Sequence, residues 1–152
     1  IYLTENPDSS PFHLVGHLYL FLDYLMRSMA ALQVTSGSTL RDFYIHEALE
    51  FIEHNFQNNI SVEDIADVCG LNRTYFGKIF KAAMGKTPQE FLLNYRMAKA
   101  AELLTLTLLS VSDIGNAVGY NNSLHFSRAF KNIYDLSPRE WRNQNKFKHP
   151  DK

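Results

Sequence analysis

The chain has 152 residues, 45% of them apolar and 13% aromatic, which excludes a disordered or low-complexity polypeptide and allows about one domain with an appendage. Its single cysteine, Cys69, excludes an internal disulfide and fits a reducing, cytoplasmic compartment. The net charge of −1 hides a split: residues 1–60 carry two basic against seven acidic side chains (−5), and residues 61–152 carry thirteen against nine (+4).

The chain opens on Ile1 and has no signal-peptide pattern, which reads as a fragment of something longer. Residues 1–11, with Pro7, Asp8, Ser9, Ser10 and Pro11, are expected to form a loop. A helix is expected from Phe12 to Gln33. It is apolar, but His13, His17, Asp23 and Arg27 interrupt it, so it is not read as a membrane span. Leu14, Leu18, Phe21, Leu25, Met29 and Leu32 recur at a 3.5-residue period. Two readings of that seam stand side by side: pairing with a second copy, and packing on the chain's own core. His13 and His17 have the i, i+4 spacing of a metal pair but no third ligand follows, so neither a metal nor any other cofactor is expected. The polar run Thr35–Thr39 reads as a linker. The expected organisation is therefore residues 1–39 as N-terminal helix and linker, 40–145 as a second domain, and 146–152 as a tail.

A helix over Leu40 to Phe56 presents Ile45, Ala48, Leu49, Ile52 and Phe56 on one face. Ser61 with Asp64 has capping-box spacing and opens a short helix to about Val68. Gly70 fits a left-handed turn, Asn72 caps a helix over about 73–84, and Gly85 stops it. Pro88 opens a long helix to about Leu104, with Phe91, Leu92, Tyr95, Ala98 and Leu103 as expected core contacts. Residues Ser110 to about Val118 and about Asn122 to Tyr134 form a further pair of helices, and Pro138 opens a last one containing Trp141. No strand pattern is present, so the expected fold class is all-α.

Two of these helix pairs are versions of one another. Ser61-Val62-x-Asp64-Ile65 matches Ser110-Val111-x-Asp113-Ile114, and Phe76-x-Lys78-x-Phe80-Lys81 matches Phe126-x-Arg128-x-Phe130-Lys131. The offset is 49 residues up to Leu71/Tyr120 and 50 from Phe76/Phe126, so the second copy has one extra residue at its turn, Asn121 or Asn122. Each copy reads as helix, Gly-containing turn, helix, and a pair of such units is suited to reading DNA. No acid occurs between Asp67 and Glu90 or between Asp113 and Asp135. Both windows fall on the second helix of a copy, where phosphate would be met.

The arrangement resembles the DNA-binding domain of the AraC family of bacterial transcription regulators over about Asp42 to Arg142. The residues that carry the resemblance are Val111-x-x-Ile114-Gly115-x-x-Val118-Gly119-Tyr120, Phe126-Ser127-Arg128-x-Phe130-Lys131, Leu136-Ser137-Pro138-x-x-Trp141-Arg142, and Tyr95-Arg96-Met97-x-x-Ala100-x-x-Leu103-Leu104. Gly115 stands where the family usually has Ala, which implies a looser helix contact, and Asp135 where Gly is common, which implies a less defined helix stop. The resemblance implies two helix-turn-helix subdomains joined by a long connecting helix, and double-stranded DNA as partner. It places base-edge contacts on Thr74, Tyr75, Gly77 and Lys78 and on Ser123, Leu124, Ser127 and Arg128. Phosphate contacts are expected from Asn72, Lys81, Arg96, Lys131 and Arg142. It also implies a transcription activator with an RNA polymerase contact, a sensing domain that this chain does not include, and a homodimer formed through Phe12–Gln33.

Two other classes compete. A helical module binding a protein partner would use the same grooves, but the basic residues on both second helices favour DNA. An enzyme such as a DNA alkyl-repair protein would need further cysteines, and there is no Cys/His set, phosphate-binding Gly loop or catalytic carboxylate pair.

Overall fold

The start and stop signals act as their chemistry dictates. In the computed structural model, which describes residues 37–145, seven helices follow one another: α1 (Gly37–Asn55), α2 (Val62–Val68), α3 (Arg73–Met84), α4 (Pro88–Leu106), α5 (Val111–Ala117), α6 (Ser123–Tyr134) and α7 (Pro138–Asn145). No strand occurs among the described residues. The expected helix Phe12–Gln33, its apolar seam, the His13/His17 pair and the tail 146–152 lie outside them.

Ser61 Oγ accepts from the Asp64 N–H (3.2 Å) and the Asp64 carboxylate accepts from the Ser61 N–H (2.7 Å), a closed capping box that opens α2. Thr87 and Glu90 do the same for α4, and Ser137 and Glu140 for α7. Asn72 Oδ1 accepts from the Tyr75 N–H (2.9 Å) at the start of α3. Asn122 Oδ1 accepts from the N–H groups of Leu124 and His125 at the start of α6. Gly85 ends α3 in the left-handed conformation, and Asp135 ends α6 the same way at φ 59°. The stop at Asp135 is thus as sharp as the glycine stop, since a short polar side chain tolerates that region.

The buried apolar residues form two groups. The first is Ile45, Ala48 and Ile52 of α1, Ile65 and Ala66 of α2, Phe76, Phe80 and Met84 of α3, and Phe91 and Leu92 of α4. The second joins Met97, Ala100, Ala101 and Leu104 of α4 to Ile114, Val118, Phe126 and Phe130, with Phe56 and Trp141 against it. One helix therefore serves both halves: the N-terminal part of α4 closes the first and the C-terminal part the second. This corrects the expected core of α4. Ala98 is exposed, and the stripe runs through residues 97, 100, 101 and 104, because the buried face turns as the helix passes from one core to the other.

Gly115 does not loosen the contact between α5 and α6. It is buried, and an added Cβ would stand 3.2 Å from Phe126 Cγ, so the missing methyl lets the two helices close up. Cys69 is buried as expected of a small apolar group. Its thiol donates to the Tyr44 carbonyl (3.4 Å), and burial, then the nearby Glu47 charge, pushes its pKa up.

Candidate nucleic-acid interface

In α3 and α6 the phenylalanines at i, i+4 (Phe76/Phe80 and Phe126/Phe130) are fully buried, which fixes the rotation of each helix. The opposite face then carries Thr74, Gly77, Lys78 and Lys81 in α3, and Leu124, Ser127, Arg128 and Lys131 in α6. Both sets have i, i+3, i+4, i+7 spacing, so each forms one continuous stripe. All are exposed except Gly77 and Ser127, which are half-buried. Tyr75 flanks the first stripe, 51% exposed, and Leu124 stands out of the second at 57%. Ser123 is exposed at the first turn of α6 and Asn72 at the cap of α3. Neither helix contains an acid, and their N-terminal caps use neutral asparagines.

These side chains supply the chemistry of base reading. Arg128 presents a planar fork of donors that matches guanine O6 and N7; Lys78 at the equivalent position donates as a point charge. Leu124 offers apolar contact to a thymine methyl. Lys81 and Lys131, one turn further along, suit phosphate.

Two of the expected phosphate contacts, Arg96 and Arg142, have main-chain partners within the chain. Arg96 donates from Nε to the Phe56 carbonyl (2.8 Å) and from Nη2 to the Asn58 carbonyl (2.7 Å). Burial lowers its pKa, and the neighbouring Tyr120 pulls the other way. Arg142 donates from Nε to the Leu104 carbonyl (3.3 Å) and from Nη2 to the Leu109 carbonyl. Both guanidinium groups thus bond main-chain oxygens at or just beyond the ends of α1 and α4, and both residues are half-buried.

One residue on these faces escaped the sequence reading. His125 is exposed and stands at the counterpart of Tyr75; the 50-residue offset carried that signal. Arg73 is also exposed and pairs with Glu63 across the α2–α3 turn. Among the described residues no three His, Cys, Asp or Glu side chains are grouped to hold a metal, and no helix is long and apolar enough to cross a membrane.

Residues 65–144 match the family described as a helix-turn-helix domain. The Msm operon regulatory protein of Streptococcus mutans is 31% identical over 131 residues, 86% of this chain and 47% of that protein. The HTH-type transcriptional activator RhaS of Enterobacter sp. is 31% identical over 138 residues, 91% of this chain and 49% of that protein. The chain thus spans about half the length of these relatives. A solved transcriptional regulator from Chromobacterium violaceum, described as an AraC-type DNA-binding-domain protein, superposes with a TM-score of 0.65 at 31% identity, covering 76% of this chain and 100% of that one. The duplicated helix pairs, the connecting helix α4 and these likenesses together place the chain in the AraC family of transcription regulators, whose two-unit helix-turn-helix DNA-binding domain it carries.

Proposed function

We propose that residues 40–145 read duplex DNA sequence-specifically, with α3 and α6 entering two segments of major groove. The observation that carries this is the matched pair of exposed, acid-free stripes, held outward by buried phenylalanines at identical spacing. Thr74, Tyr75, Gly77 and Lys78 meet base edges in one segment, and Ser123, Leu124, Ser127 and Arg128 in the other. Asn72, Lys81 and Lys131 meet phosphates. Gly77 brings no side chain, so the first unit reads less at that position than Ser127 does in the second. The whole protein acts in the cytoplasm as a transcription activator without catalytic function, in line with the relative named as an activator. It pairs with its copy through Phe12–Gln33 and contacts RNA polymerase.

Selection of binding sites from random duplexes tests the reading. Arg128→Ala should cost about 1–3 kcal/mol at the preferred site and relax one base position. Lys78→Ala should relax a different position, roughly 34 Å away, because major-groove entries on one face repeat at that distance. Loss of preference at the same base in both variants would refute two-groove reading.

A further inference from the structure

Two reading stripes act together only if the distance and angle between α3 and α6 are held. One guanidinium stands where that is decided. Arg96, midway along α4, bonds the carbonyls of Phe56 and Asn58, where the chain leaves α1, the helix that backs the first unit. The same group lies against Gly119, the turn between α5 and α6: an added Cβ there would stand 3.1 Å from Arg96 Nη2 and 2.8 Å from the Phe56 carbonyl oxygen. The Phe56 ring packs on the second core and edge-on to Tyr95, with centroids 5.2 Å apart. The end of the first unit's backing helix, the connecting helix and the turn of the second unit therefore meet at one side chain.

We propose that Arg96 is a positioning residue for DNA reading: it locks the two units at one separation, so that the domain selects duplexes whose two base elements stand at one fixed spacing. The proposal rests on the DNA reading above. A planar fork of fixed donors spans two carbonyls at once, which lysine's single ammonium does not reproduce. Each inserted base pair moves one element by about 3.4 Å and turns it by about 35° around the helix axis. A rigid pair then loses one of its two contact sets, whereas a loosened pair follows.

The experiment uses the selected duplex, the same duplex with one, two or three base pairs inserted between its elements, and duplexes carrying each element alone. Wild-type affinity should fall by about ten-fold or more on the first insertion, as linked binding does when geometry forbids both contacts. Arg96→Ala should bind the single elements as wild type does, yet lose less than about three-fold on that insertion. Arg96→Lys, which keeps the charge, should fall between the two; it also serves if the alanine variant does not fold by circular dichroism. A folded variant that keeps the full penalty for altered spacing overturns the proposal. So does one that weakens the single elements and all spacings alike, since that is the signature of a phosphate contact. Wild type that binds no duplex at all overturns the DNA reading itself, a distinct result.

Discussion

At the scale of single residues, two glycines make opposite demands. Gly119 sits at φ 90° with the Phe56 carbonyl 2.8 Å from where a Cβ would go. Gly119→Ala should therefore destabilise the fold by about 2–4 kcal/mol, combining the left-handed penalty with the loss of a buried hydrogen bond. Gly77 lies inside α3 with nothing within 4 Å of a Cβ position. Gly77→Ala should stabilise the fold by about 0.5–1 kcal/mol, because glycine in a helix interior costs that much in backbone entropy. Thermal melts of the two variants decide both signs. DNA affinity of Gly77→Ala, measured alongside, reports whether the new methyl meets a base edge.

Helices are where the sequence was most legible. Ser61 with Asp64, Asn72, and Pro88 announced their starts because the cap and its partner lie within three residues of each other. The boundaries moved only where no such signal exists: α1 begins at Gly37 and α4 runs to Leu106. What local spacing could not show is contact across the chain. Arg96 finds its acceptors 40 and 38 residues away and Arg142 38 and 33 residues away, so both looked like free surface cations. The caps also carry a pH dependence. Asp64 and Glu90 are held below their ordinary 3.8 and 4.5 mainly by the backbone N–H groups of Ser61 and Thr87, and Glu140 below 4.5 mainly by the Ser137 side chain. A carboxylate whose folded pKa is lowered stabilises above its unfolded value and loses that contribution as pH falls through the folded one. Melting temperature should hold from neutral pH down to about 5 and then drop below 4.5. Asp64→Asn, Glu90→Gln and Glu140→Gln together should flatten that acid limb; an unchanged limb would show that other groups control it.

Across the whole molecule, the connecting helix α4 and the half-buried Arg96 guanidinium tie two small units together, and the basic residues are gathered on the later part of the chain. Binding should weaken as salt rises, with a log–log slope near −0.9 per neutralised phosphate. Lys81→Ala and Lys131→Ala should each make that slope shallower by about one contact and weaken all sequences alike. A salt-independent affinity in titrations would contradict the proposed interface. The two stripes also differ at every proposed reading position: Thr74 has Leu124 as its counterpart, Tyr75 has His125, Gly77 has Ser127, and Lys78 has Arg128. A site read by such a pair has a head and a tail. Turned end for end, the same base pairs would meet the wrong helix, so on the proposed reading one copy of this domain binds in a single direction. A protein related to itself by a two-fold axis has no means of telling upstream from downstream. Unequal tandem copies do, and on the proposed reading a single domain of this kind suffices to sense the direction in which a gene lies beside its control site.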